Sequence, residues 1–300
     1  MQLPIQSQSR IYAERWEHDA GADELAAIAS AADTSGFWYV AVCDHIAIPA
    51  EQADTMGTSW WDTVATLGWL AGITSRTRLL SHIYVLPFRH PLVTAKAFST
   101  LDAVSGGRVI LGVGAGHVER EFDTLGLDFT DRGALLDEAI DGVRAAFADE
   151  FATIEGPTWK VEGLGQRPRP LQAGGPPVWV GGSSKAALRR AAERGDGWLP
   201  QGPVSADQIA FIRERRAAAG RGDDPIDLGA LVGAVYVGEP TWDVGQQTLT
   251  GPPAKVAHVL GKYAALGVGQ VQVRFRSRSA TELVDQIKAF GADVLPLLPA

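Results

Sequence analysis

The chain alternates short, almost unbroken apolar runs with longer stretches in which apolar residues recur every three or four positions. The runs predict eight strands: Gln2–Gln6, Phe37–Val42, Arg78–Leu86, Arg108–Val113, Val178–Gly182, Gly197–Pro200, Leu228–Val237 and Gly269–Phe275. Cores such as Trp38-Tyr39-Val40-Ala41-Val42 are apolar on both faces, as expected of buried parallel strands. Between them, Trp60, Val64, Leu67 and Ala71 share one helical face, and Leu136, Ile140, Val143 and Phe147 repeat that spacing. Leu283, Ile287 and Phe290 mark a last helix, and Ser279 with Glu282 predicts a capping box at its start. Eight strand-then-helix units predict an α/β fold, a (β/α)8 TIM barrel, in preference to an open doubly wound sheet. Two insertions interrupt the alternation. The segment 150–177, after the fourth strand, holds five prolines and five glycines, and 238–253, after the seventh, is Gly/Pro-rich and carries Trp242. Loops of this length are usually functional, and both are expected to cover a substrate. Residues 1–300 read as a single domain without repeats.

Composition narrows the class. Twenty-seven basic and 35 acidic residues give a net charge of −8, and there is no basic run, which argues against nucleic acid. No 18-residue apolar stretch exists to span a membrane, and Met1–Arg10 lacks the apolar core of a signal peptide. One cysteine, Cys43, excludes an intramolecular disulfide framework and a Cys-rich zinc site. A cytoplasmic protein is expected.

In such a barrel, chemistry sits at the C-terminal ends of the strands. Asp44-His45 follow the second strand, His82 lies in the third, and Gly112-Val113-Gly114-Ala115-Gly116-His117 follow the fourth. Four of the six histidines (45, 82, 90 and 117) therefore gather on strands two to four or just beyond. Asp44-His45 is either a pair satisfying backbone groups or a proton-handling pair near a redox centre. His82 is either a core histidine or a site residue, His117 either a surface residue or a ligand neighbour, and His90 is expected to be structural. Gly112, Gly114 and Gly116 do not match a dinucleotide fingerprint, because its third glycine would fall at His117. They either admit a flat ligand or make a tight turn. Gly181-Gly182-Ser183-Ser184 open a helix and offer either an anion site or an ordinary N-cap. Arg274, Arg276 and Arg278 alternate, so all three would face one side if the last strand continued. They would then hold an anion or form a solvated rim. No compact metal-ligand spacing, G-x-S-x-G elbow or well-placed lysine is present, and Asp44 beside Cys43 disfavours a thiolate.

These residues resemble the luciferase-like monooxygenase superfamily, in particular its coenzyme F420 (deazaflavin)-dependent oxidoreductases. The strongest stretch is Leu79–Phe129. It holds Leu86-Pro87-Phe88-Arg89-His90-Pro91, Thr100-Leu101-Asp102-Ala103-Val104-Ser105-Gly106-Gly107-Arg108, the glycines after strand four, Glu121-Phe122 and Leu125-Gly126. Gly36-Phe37-Trp38, Val178-Trp179-Val180-Gly181-Gly182-Ser183 and Asp196-Gly197-Trp198 flank it. The resemblance implies a barrel with a flavin or deazaflavin ring in its C-terminal mouth, backed by a non-prolyl cis peptide at His82–Ile83. It implies cofactor contacts from Asp44, His45, His82, Ile83, Gly112, Gly114, Ala115, Gly116, Gly181, Gly182 and Ser183. It implies catalytic roles for His45, oriented by Asp44, and for His117. The sugar-phosphate dehydrogenases of the family carry a glutamate near the place of His117, so the departure argues against a sugar-phosphate substrate. The expected activity is hydride transfer between F420 and a small organic substrate. The alternatives are an FMN-dependent monooxygenase served by a separate reductase, and an idle flavin-binding member. A homodimer is implied, and no metal.

Overall fold

The computed structural model describes residues 1–9 and 12–299. Eleven strands and ten α-helices are assigned among them. The parallel strands are β1 (Tyr39–Val42), β2 (Arg78–Ser81), β3 (Tyr84–Val85), β4 (Val109–Gly114), β7 (Val178–Gly181), β8 (Gly197–Leu199), β9 (Asp227–Val237), β10 (Leu249–Gly251) and β11 (Gln270–Phe275). A small antiparallel hairpin, β5 (Ile154–Glu155) and β6 (Lys160–Val161), stands apart. The main order is β1-β2-β4-β7-β8-β9, with β11 on β9. The N-terminal segment joins the other edge through a parallel bridge between Gln2 and Ala41. Side chains link the two ends: Gln272 of β11 bonds to Tyr39 and to Gln2. Eight parallel positions in this order make the predicted (β/α)8 barrel.

The helices α1 (Ala22–Thr34), α2 (Ala53–Met56), α3 (Thr63–Ile73), α4 (Pro91–Ser105), α5 (Glu119–Thr124), α6 (Arg132–Ala148), α7 (Lys185–Arg194), α8 (Ala206–Ala218), α9 (Pro253–Ala265) and α10 (Ala280–Ala289) follow the strands. The face predicted for α6 is right: Leu136, Ile140, Val143 and Phe147 are all buried. No described helix is long and apolar enough to cross a membrane.

Several expectations shift. The strand predicted over Gln2–Gln6 reduces to the single bridge at Gln2 and two backbone bonds between Met1, Leu3 and Ala41. The strand predicted over Arg78–Leu86 breaks at His82–Ile83, whose peptide bond is cis. Trp60 lies before α3 and bridges to Ser7. The capping box on α10 is half formed. Ser279 accepts the Glu282 N–H, but the Glu282 carboxylate turns to the Arg278 backbone and guanidinium. Only one insertion faces the barrel mouth. Within 150–177, Gln172 and Leu171 bond to Asp102, Gln172 also holds Arg78, and Gln166 reaches Leu92. These contacts, with α4 and the start of β2, lay the segment along the outer wall, so it is no substrate cover.

Glycines make the close approaches. A β-carbon on Gly112 would meet the Ser81 carbonyl oxygen at 2.1 Å. Gly112→Ala should therefore destabilise by about 1–3 kcal/mol, since backbone must move. Gly68, inside α3, has nothing within 4 Å of that position. There alanine should stabilise by about 0.5–1 kcal/mol through helix propensity. Urea unfolding of both variants checks the contrast, and equal effects would refute it.

Asp33, at the end of α1, accepts the N–H groups of Ser75, Arg76 and Thr77 and the Ser75 hydroxyl. Burial works to raise its pKa, but these bonds outweigh burial and hold the carboxyl below its usual value. A pKa lowered by folding means stabilisation that is present above the unfolded-state value and lost as pH falls through the folded one. Asp33→Asn should thus show a smaller loss of stability than the parent between about pH 6 and about pH 3 by denaturant unfolding.

Candidate functional site

The C-terminal mouth of the barrel opens into a cavity of about 1200 Å3. Its floor is the break between β2 and β3. The Ile83 side chain fills the room that β-carbons on Gly114 and Gly181 would need, at 1.9 and 2.7 Å from its atoms. His82 lies beside it, half-buried, with Nδ1 3.1 Å from Gln272 Nε2. Burial pushes the His82 imidazole down to about 4, so it is neutral near pH 7. Gln272 in turn accepts the Tyr39 hydroxyl at 3.2 Å. This chain locks the floor.

One wall is the start of α7. Gly181, Gly182, Ser183 and Ser184 line the cavity there, with Gly182 at φ +112°, a conformation that favours glycine. Ser184 is the N-cap, accepting the Ala187 N–H. Ser183 exchanges two hydrogen bonds with the Gln201 backbone, which ties this turn to the loop after β8. Both hydroxyls thus serve the protein, and the helix N-terminus itself faces the cavity. The opposite wall comes from Tyr12, Trp16, Arg274, Arg276 and Gly245–Thr248. The insertion 238–253 therefore does overhang the mouth, and Arg276 holds it by a bond to the Val244 carbonyl. Arg278 is diverted to Glu282 beyond the end of β11, so only Arg274 and Arg276 face inward.

Lining residues include four arginines (132, 190, 274 and 276) and, among the described residues, one carboxylate, Glu17. The cavity is cationic in a chain of net charge −8.

The structure divides the predicted site residues. His82, Ile83, Ala115, Gly116, Gly181, Gly182 and Ser183 line the cavity. Gly112 and Gly114 do not. Ser81 and Ile83 occupy the space beside them, so these glycines serve strand-to-strand packing and offer no face to a flat ligand. Asp44 is also directed away from the cavity. Its buried carboxylate is bridged by both Arg89 terminal nitrogens and accepts the Val85 N–H and the Thr63 hydroxyl. A buried carboxylate takes the strongest donors in reach, and here Arg89 stacks over Tyr84 to provide them. Asp44 therefore does not orient His45.

That role falls to Glu121, which the sequence reading noted only as part of a resemblance. His45 Nδ1 lies 2.8 Å from Glu121 Oε2, while Oε1 accepts the Ile46 and Ala47 N–H groups. Burial works to raise the Glu121 pKa, but the His45 bond and charge and the two backbone bonds outweigh it and hold the carboxyl low. The His45 ring packs against Trp60 and His117, with centroids 4.5 and 5.4 Å away. Burial, and then the His45 charge, lower the His117 pKa. This cluster adjoins the cavity through Ala115 and Gly116, without lining it. An i, i+4 spacing of His117 and Glu121 across the start of α5 was the available signal. What it lacked was the 76-residue jump back to His45. His90 caps α4 by accepting the Leu92 N–H, the structural role expected. Cys43 is inert: burial pushes its thiol up to about 11.

Comparison with known proteins adds the following. A 5,10-methylenetetrahydromethanopterin reductase of Methanopyrus kandleri is 32% identical over 224 residues, covering 69% of this chain and 60% of the relative. An F420-dependent hydroxymycolic acid dehydrogenase of Mycobacterium tuberculosis is 31% identical over 211 residues, covering 69% of this chain and 57% of the relative. The chain thus spans somewhat over half the length of these two relatives. In three dimensions, a monooxygenase from Streptomyces bottropensis superposes with a TM-score of 0.79 at 22% identity, over 99% of this chain and 98% of its own. The model of the luciferase-like monooxygenases matches residues 1–269, and the chain belongs to that family.

Proposed function

We propose that the protein is an F420-dependent oxidoreductase that acts on a small organic substrate in the barrel mouth. The observation that carries this is the cationic cavity between the α7 N-terminus and the His82–Ile83 break, in a chain related to an F420-dependent dehydrogenase. The residues fit such a cofactor. Gly182 lets backbone N–H groups of the α7 start meet a phosphate, Arg132 adds charge nearby, and Ile83 offers an apolar back to a flat ring. When bound, the deazaflavin supplies a carbon that gives or takes a hydride. The protein supplies position, exclusion of water and a place for the proton.

His45 is the group that handles the proton. Glu121 binds Nδ1 and leaves Nε2 without a hydrogen-bond partner among the described residues, in a ring that packs against His117. Gly245–Thr248 shield the reacting atoms from water.

Titration with F420 and, in parallel, with FMN tests the cofactor, read by quenching of tryptophan fluorescence. Micromolar or tighter F420 binding with weak FMN binding is expected. The reverse preference would replace this reading with a reductase-coupled monooxygenase, and binding of neither would remove it.

His45→Ala should cut turnover about 100-fold with F420 affinity little changed. Glu121→Gln should cost less, about tenfold, since a neutral amide can still hold the ring in place but no longer faces it with a negative charge. Full turnover in either variant would overturn these roles.

A further inference from the structure

Of the four arginines lining the cavity, three are spent on the protein. Arg132 donates to the Phe129 carbonyl and stacks on its ring. Arg190 pairs with Asp137 and donates to Gly133. Arg276 pairs with Glu14 at 2.8 Å and donates to Val244. Arg274 differs. Among the described residues its guanidinium has no hydrogen bond and no ion pair. It lies over the Tyr12 ring, 5.1 Å from the ring centre. Two carboxylates are near enough to be felt, Glu17 and Glu14, but neither is free. Glu17 accepts the Ile5 and Glu14 N–H groups, and Glu14 is held by Arg276.

A half-buried guanidinium that lines a cavity and spends none of its five N–H donors on the protein keeps all of them for a ligand, which would displace the water that otherwise solvates them. Its place says which ligand. Arg274 sits two residues beyond Gln272 on β11, one pleat or about 6.6 Å further up the same inward face. Gln272 is bonded to His82 at the cavity floor. The α7 N-terminus belongs to β7, three places from β11 in the barrel order. An anion at one end therefore leaves the other uncovered.

We propose that Arg274 is the recognition residue for a carboxylate on the substrate. Held over the Tyr12 ring, the guanidinium grips the carboxylate with two parallel hydrogen bonds, and the apolar side chains of Trp16, Leu231 and Val232 cover the adjoining carbon skeleton. The substrate class is small organic acids whose reacting carbon lies within one pleat of the carboxylate. This rests on the proposed function for the reaction but not for the binding.

The test uses aromatic and aliphatic carboxylates, each paired with its primary amide, a neutral isostere. Binding is followed by Trp fluorescence on the full chain, with and without F420. At least one carboxylate should bind tenfold or more tighter than its amide. Arg274→Met should bring that ratio to about one, Arg274→Lys should keep part of it, and both should bind F420 within threefold of the parent. If no carboxylate outbinds its amide, or if the preference survives in Arg274→Met, the proposal is overturned. It is equally overturned if Arg274→Met weakens F420 tenfold, because the arginine then serves an anion of the cofactor. A carboxylate preference without any F420 binding would uphold the subsite and refute only the cofactor.

Discussion

The packing of Ile83 into the space left by two glycines underlies the architecture of the site. Gly114 ends β4 and Gly181 ends β7, neighbours in the barrel. A side chain on either would collide with Ile83. Without those gaps the β2–β3 break could not turn inward, and the barrel mouth would have no apolar floor. The break also sets His82 beside Gln272, which ties the last strand to the N-terminal segment and to Tyr39 on β1. Steric fit at one point thus shapes the cavity and places the side chains that link the two ends of the sheet.

Charge is distributed around that floor by burial. Asp44 and Arg89 satisfy each other inside the wall, and Arg190 and Asp137 do so behind α7. Breaking such a pair would leave an uncompensated buried charge. The same logic makes an unpaired arginine in the mouth informative. Around the cavity Arg190 and Arg276 are paired with carboxylates and Arg132 is held by a carbonyl and a ring, whereas Arg274 has neither hydrogen bond nor ion pair among the described residues.

Much was legible along the chain because periodicity is a local property. Alternation of apolar runs and helical faces sufficed for the eight-fold repeat, and Leu136, Ile140, Val143 and Phe147 are buried as their spacing required. The cluster of histidines after strands two to four, the glycine-serine turn at Gly181 and the Gly/Pro-rich composition of 238–253 were likewise visible. The roles of neighbours were not. Adjacency in sequence suggested that Asp44 orients His45, yet successive residues in an extended segment point to opposite sides. Asp44 therefore turns into the wall and His45 toward Glu121.

The sequence by itself determined the order of strands and helices, the faces they bury and the ends of the barrel where polar residues collect. Hydrophobic pattern and chain order suffice for that. Only the tertiary structure decided that Gly112 and Gly114 serve packing, that 150–177 lies outside while 238–253 overhangs the mouth, and that of Arg274, Arg276 and Arg278 the first alone lacks an ion pair among the described residues. Such outcomes depend on which residues meet across long stretches of chain, as His45 meets Glu121 across 76 positions and Trp16 meets Ser277 across 261. No local propensity encodes such meetings. Side chains settle them by competing for the strongest partner and the available space once the barrel has closed.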